Sequence, residues 1–304
     1  MKFAAFWGCK IPYYLAHYAS STRAVLTALG VDLIEPEFNC CGYPVRHLHF
    51  ESFLFSAARN LALAEQRELD ILTPCKCCFG TLKQAQHILN LTPGLKDEFN
   101  RQLAQEGLVY SGRLKIKHLL SVLAQDVGLN TIQEQVKRSF EGVKMAAHYG
   151  CHALRPSGVT AFDDPWNPCV FENLLQVTGI QCVSWARRLE CCGNPLWGKN
   201  NQLSLELLEK KVRDARSAGA DFLCAACTYC QIHFDAIQGT ELTKTGFDQV
   251  LPSLLFPQVL GLSLGLSGAD LGLDRHTLDV TGIEVFLKDK DREEPPGPEA
   301  GEEA

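Results

Sequence analysis

Along the chain, short apolar runs that suit strands alternate with stretches whose apolar residues recur at three- and four-residue steps, the helical period. In the N-terminal half the helical stretches are Tyr14–Leu29, Leu48–Leu69 and Cys78–Leu89; in the C-terminal half they are Pro168–Val177 and Leu203–Ala218. The strand-like runs come twice. "KFAAFWGC" (2–9) corresponds to "VKMAAHYGC" (143–151), "VDLIEPEFNCCGYP" (31–44) to "IQCVSWARRLECCGNP" (180–195), and "LDILTPCKCC" (69–78) to "ADFLCAACTYC" (220–230). Strand alternating with helix predicts βαβ units. The expected fold class is therefore α/β, with two pseudo-repeated Rossmann-like halves, each a small, mainly parallel sheet flanked by helices.

The expected boundaries are 1–140 for the first half and 141–287 for the second. The first half includes a connector, Lys96–Lys137, that reads as helical, with "IKHLLSVL" its most amphipathic piece. The second includes Leu251–Ala269, which carries no charge. Two prolines, three glycines and three serines dilute that segment, whereas a spanning helix needs about 20 mostly apolar residues. Leu255, Val259, Leu262 and Leu266 recur at helical spacing, so a core helix with Pro257 in its first turn is expected, without membrane insertion. The tail "KDKDREEPPGPEAGEEA" (288–304) has no apolar face and is expected to be disordered.

Composition sharpens this picture. The chain is 46% hydrophobic and 21% charged, enough to bury a sizeable core. Of the net charge of −6, the segment 288–304 contributes −4; there is no basic stripe, and nucleic acid is not an expected partner. Fourteen cysteines in 304 residues is high, and the chain is too long for a small disulfide scaffold. "MKFAAFWGCKIPYY" has neither a long apolar core nor a small-residue cleavage site, so a cytoplasmic location is expected. There, cysteines serve metal binding or redox chemistry.

Ten cysteines fall into a repeated frame. Each half carries a single cysteine, a Cys-Cys pair and a Cys-x-x-Cys: Cys9, Cys40, Cys41, Cys75 and Cys78, then Cys151, Cys191, Cys192, Cys227 and Cys230. Both pairs read Cys-Cys-Gly-x-Pro. Neighbouring side chains of a strand point to opposite faces, so two adjacent cysteines serve one ligand only if the chain turns. Gly42 and Gly193 permit positive φ, and Pro44 and Pro195 stop the strand. All ten sit where an apolar run gives way to a helix or turn, the edge of a parallel sheet where ligands bind. Helix N-termini after Cys9 and within each Cys-x-x-Cys favour thiolates. A cubane cluster or a structural zinc takes four cysteines. Five per half suggests a cluster that is not a simple cube, although spacing alone does not establish it. Zinc would leave one thiolate per half unused, and disulfides suit an exported chain.

Cys77, Cys169, Cys182 and Cys224 are left over and read as buried small hydrophobes. "CAAC" (224–227) is a competing Cys-x-x-Cys, but 34 residues separate Cys192 from Cys227, close to the 33 between Cys41 and Cys75. His148 and His152 flank Cys151 and could protonate a leaving thiolate or bond a cluster sulfur; structural hydrogen bonding is the plainer alternative. Lys10, Arg46 and Arg155 lie beside motif cysteines, either to hold an anionic substrate or simply as solvated surface.

These motifs resemble the B subunit of heterodisulfide reductase, a family of cysteine-rich CCG domains. The likeness extends to "HYGCHALRP" (148–156), "FDDPWNP" (162–168), "CTYCQIHFD" (227–235) and "FPQVLGLSLGLSGADLGLDRH" (256–276), and covers about residues 1–280. It implies a noncubane [4Fe–4S] cluster in each half, one held by Cys9, Cys40, Cys41, Cys75 and Cys78, the other by Cys151, Cys191, Cys192, Cys227 and Cys230. It also implies a disulfide bound between the clusters, each giving one electron to one sulfur. Cys41, Cys192, His148 and His152 are then the expected catalytic residues. The implied partners are the ferredoxin-like and the flavin-containing subunits of such a reductase (its C and A components), and the substrate a small disulfide or protein-bound sulfur. The alternative is an iron–sulfur electron-transfer subunit of a dehydrogenase complex, passing electrons to a quinone or other carrier.

Overall fold

Four short apolar runs of the first half form one parallel sheet in the computed structural model, which describes residues 1–290. The strands β1 (Lys2–Ala5), β2 (Asp32–Ile34), β3 (Ile71–Thr73) and β4 (Ile116–His118) lie in the order β2-β1-β3-β4, with Lys2 opposite Asp32, Ala4 opposite Ile71 and Ile71 opposite Ile116. Strand β5 (Arg138–Phe140) leads into the second sheet. There β6 (Lys144–His148), β7 (Gln181–Cys182), β8 (Phe222–Ala225) and β9 (Ser253–Leu255) repeat the parallel order as β7-β6-β8-β9. Strand β10 (Leu287–Asp289) pairs antiparallel with β5. The two Rossmann-like halves expected from the repeats are thus present.

The inner strands are apolar because both their faces are covered, as in parallel sheets generally: every residue of β3 and β8 is buried. At the edge, β2 leaves Asp32 and Ile34 exposed. The helix expected over Leu48–Leu69 runs Phe50–Gln66 and starts where the His49 ring accepts the Ser52 N–H at 3.1 Å. The one expected over Leu203–Ala218 runs Asn201–Ser217, capped by the Asn200 side chain on the Leu203 N–H. Lys76–Leu91 and Val170–Gln176 match the other two closely. The stretch Tyr14–Leu29 is two helices, Lys10–Tyr14 and Ala16–Ala28, because Leu15 leaves helical geometry at ψ 49°.

Three expectations are corrected. The connector is not helical throughout: Ile116–His118 is β4, and helix resumes at Leu119. The apolar C-terminal segment begins with β9, and its helix is shorter, Phe256–Ser263, with Pro257 in the first turn as expected. Lys288 and Asp289, assigned to a disordered tail, belong to β10; residues 291–304 lie outside the described residues.

The halves interlock. Helix Phe256–Ser263 packs on helix Ala16–Ala28 of the first half. A Cβ at Gly80, in the first half's Lys76–Leu91 helix, would collide with the His152 carbonyl oxygen of the second. Any side chain at Gly80 would push the two cysteine regions apart.

Candidate metal centres

In each sheet the strand order reverses between the first and third strands, and the crevice at such a switch point is where open parallel sheets bind ligands. Cys9 follows β1 and Cys75 is the N-cap residue of helix Lys76–Leu91 after β3. Cys151 follows β6 and Cys227 is the N-cap residue of helix Thr228–Ile232 after β8. The Cys-Cys pairs arrive on longer loops after β2 and β7. Gly42 (φ 87°) and Gly193 (φ 98°) turn the chain there, and each is followed by one 3-10 turn holding Pro44 or Pro195. A Cβ would also meet the Phe53 carbonyl oxygen at 2.9 Å or that of Ser204 at 3.0 Å. The first loop is tied down by Ser56 Oγ and Asn60 Nδ2, which donate to the Cys40 carbonyl at 2.6 and 3.1 Å. Ser204 Oγ does the same for Gly193 at 3.0 Å.

These loops converge on two cavities. Cys9, Cys41, Cys75, Cys77 and Cys78 line the first, and Cys40 Sγ lies 3.8 Å from Cys9 Sγ. Cys151, Cys191, Cys192, Cys227, Cys230 and again Cys77 line the second. Cys77 and Tyr229 face both cavities. The Sγ atoms of Cys75, Cys77 and Cys227 lie within 4.8 Å of one another, so the two sites share a wall. That wall is built crosswise: Lys76 and Cys77 of the first half line the second cavity, while Thr228 and Tyr229 of the second half line the first.

His118, at the end of β4, holds the crossing together. The Leu120 N–H donates to its Nδ1 at 3.2 Å, which leaves the proton on Nε2. That N–H is shared between the carbonyls of Pro74 (3.0 Å) and Ala226 (3.1 Å), the residues before Cys75 and Cys227. Burial holds the His118 pKa down to about 3, so the ring stays neutral. The sulfurs share protons unevenly: bonds to neighbouring sulfurs together with burial raise Cys9, Cys78, Cys151, Cys192 and Cys230, and acidify others. Hydrogen bonds from Cys40 and Cys78 lower Cys41 to about 5. Bonds from Cys230, Cys75 and Cys77 push Cys227 well below the usual thiol range. Thiolates, not thiols, bind metal.

The other expected site residues divide. His152 lines the second cavity, with Nδ1 3.3 Å from Cys151 Sγ and 3.7 Å from Cys77 Sγ. His148 lines neither; it is fully buried behind Gly150, edge-on to Phe234 at 4.8 Å. Lys10 lines the first cavity. Arg46 and Arg155 line an open cleft of about 410 Å³ that also includes His152, Phe50 and Phe53 and has no acidic lining residue. Cys224 is buried in β8, Cys182 is half-buried and Cys169 is exposed; none of the three lines either cavity. Sequence reasoning missed Lys76, Tyr43, Thr228, Tyr229 and His118, and passed over Cys77 as a space-filler. The signal for the loop residues was available: each Cys-x-x-Cys has an interior, and the two loops meet.

Both cavities offer sulfur ligands and no carboxylate, a soft donor set that suits iron–sulfur clusters. A structural zinc takes only four ligands. Known proteins resemble the chain. The family profile described as "Cysteine-rich domain" (CCG) matches residues 3–83 and 145–235, one match per half. The B subunit of the ferredoxin/F(420)H(2)-dependent CoB-CoM heterodisulfide reductase of Methanosarcina acetivorans is 32% identical over 94% of this chain and 96% of its own length. The membrane anchor of the 8-methylmenaquinol:fumarate reductase of Wolinella succinogenes is also 32% identical, over 93% and 99%. A crystal structure of a hypothetical protein from Helicobacter pylori superposes with a TM-score of 0.74 at 20% identity, across 92% of this chain and 52% of that one; this chain spans about half its length, and the likeness shows the fold. No helix among the described residues is long and apolar enough to cross a membrane. The chain belongs to the CCG cysteine-rich domain family, and over nearly its whole length its relatives include the B subunits of heterodisulfide reductases.

Proposed function

We propose that the chain is the catalytic subunit of a heterodisulfide reductase-like complex, reducing or reversibly forming a disulfide where its two cysteine sets meet. The reading is supported by one observation: four cysteines of the first set, with Cys40 Sγ 3.8 Å from Cys9 Sγ, and all five of the second line two cavities with a common wall. A disulfide presents two sulfurs and takes two electrons, which two adjacent sites can serve together. Noncubane [4Fe–4S] clusters, one on Cys9, Cys40, Cys41, Cys75 and Cys78 and one on Cys151, Cys191, Cys192, Cys227 and Cys230, would supply those electrons singly. The chain's own residues do the rest. His152 Nδ1 reaches Cys77 of the common wall and Cys151 of the second set, and is placed to give a proton to a departing thiolate. Tyr43 packs against His152 at 5.1 Å and Tyr229 at 5.4 Å, an aromatic lid that limits water. Arg46 and Arg155 are placed to hold an anionic end of the substrate. The ferredoxin-like and flavin-containing subunits of such a reductase are the proposed partners, a small disulfide or protein-bound sulfur the proposed substrate, and the cytoplasm the proposed location.

Anaerobically prepared protein should carry about eight irons, four per set, and little zinc. Supplied with an artificial one-electron donor, it should reduce organic disulfides. Stoichiometric zinc without iron would overturn the reading. The second reading, an electron-transfer subunit serving a quinone, draws on the similarity to the Wolinella membrane anchor; it predicts cluster reduction by a quinol and no disulfide turnover.

Arg46→Gln and Arg155→Gln should each raise KM for a carboxylate-bearing disulfide about tenfold, the worth of one charge-assisted hydrogen bond, with kcat unchanged. KM for a neutral disulfide should stay level. Equal effects on both substrates would mean that the arginines only shape the loop.

A further inference from the structure

The crossed loops make the two cavities electrically unequal. Lys76 is 1% exposed, and its chain lines the second cavity but not the first. Its Nζ donates to the His148 carbonyl at 3.1 Å, three residues before Cys151, and stands over the rings of Phe171 (4.9 Å) and Tyr149 (5.2 Å). A second buried ammonium, Lys211, also 1% exposed, donates to the Arg187 carbonyl, four residues before Cys191. The nearby carboxylate of Glu172 is already engaged by Arg188 and the Tyr149 hydroxyl. In the first cavity the place equivalent to Lys76 is taken by Thr228, a neutral side chain whose Oγ1 is buried without a partner among the described residues. Lys10 is the cation lining that cavity, and it is only half-buried.

Reduction adds negative charge to a centre. A fixed positive charge in a low-dielectric wall stabilises that state far more than one screened by water. Cluster potentials follow local charge, hydrogen bonds and exposure. We propose that Lys76, a residue of the first half's ligand loop, sets the potential of the second centre and makes that centre the more easily reduced of the two. Lys76 acts through the centre and does not touch substrate, so it is a positioning residue. The inference rests on the iron–sulfur reading above.

The test is a spectroscopically monitored redox titration of the iron-loaded full chain. Two waves are expected, and the one lost in Cys151→Ala belongs to the second centre. In Lys76→Met the second wave should fall to lower potential by at least about tenfold in its reduced-to-oxidised ratio, about 59 mV for one electron. The first wave should stay in place. Lys76→Arg should restore the parent value, and Lys211→Met, an independent variant, should lower the same wave. A second wave that does not move in either Met variant, or two waves moving together, overturns the assignment. A protein without two iron-based waves overturns the underlying reading instead, and the iron content of each sample tells these failures apart.

Discussion

Cys192→Ala should bring disulfide turnover down to about 1% of the parent or less, a larger loss than the 10–100-fold typical of residues behind the ligands. Cys192 is 4% exposed, lines the second cavity and belongs to the pair turned by Gly193. On the reductase reading its loss removes a ligand from one set and leaves the other intact. Iron should fall towards half, and the remaining centre should still accept an electron from an artificial donor. Folding should survive, because the two sheets are separate. Cys41→Ala should produce the mirror result from the first set. Cys169→Ala, at an exposed cysteine outside both cavities, should leave turnover near normal. The measurement is anaerobic reduction of disulfides by the three variants, with iron determined in each. If Cys192→Ala or Cys41→Ala retained substantial turnover with its iron missing, the two sites would not act together, and the single-path carrier reading would replace the reductase.

The second large effect belongs to a residue that holds no metal. His118→Phe keeps the ring's bulk and removes the N–H shared by the Pro74 and Ala226 carbonyls, and with it the acceptor for Leu120. Pro74 keeps the Tyr18 hydroxyl at 2.7 Å, but the Ala226 carbonyl loses its bond to the ring. Leaving a buried polar group unsatisfied costs about 1–3 kcal/mol, and loss of about 3 kcal/mol is expected for the site as a whole. Iron should drop at both sets together, since the bond links the residues that precede Cys75 and Cys227. Leu61→Ala, a cavity on the buried face of helix Phe50–Gln66, should cost about 2–5 kcal/mol, a comparable loss, without this double effect on iron. Thermal denaturation and iron analysis of the pair separate the two effects. Normal iron in His118→Phe would show that the loops hold their places without the histidine.

Much of this was legible in the residues. The ten cysteines announce themselves by a frame repeated twice, and the turn at each Cys-Cys pair follows from glycine and proline chemistry. The sheets were legible in outline, since β3 and β8 are continuous apolar runs. β4 and β9 were not. Each is three residues long and runs straight into a helix with no turn residue between, so the helical period of "HLLSVL" and "FPQVLGLS" absorbs it. His118 was hidden for the same reason, inside a segment that looked merely amphipathic. Cys77 and Lys76 were hidden differently. Their importance comes from the second half's loop lying against theirs, and that proximity joins residues about 150 positions apart. His148 shows the converse: adjacency to Cys151 in sequence places it behind the cavity wall, because β6 ends at His148 and turns its ring inward.

Because Cys77 and Tyr229 each face both cavities, the doubled architecture is not modular. A half expressed alone would lack one side of its own cysteine-lined cavity and would expose its sulfurs to solvent. Cys77 and Tyr229 therefore answer to two chambers at once, while Lys76 and Thr228 each line the chamber of the opposite half. The two loops differ in identity, lysine against threonine and cysteine against tyrosine, and each residue must suit every chamber it lines. Engineering one half by copying the loop of the other would alter the untouched half as much as the edited one.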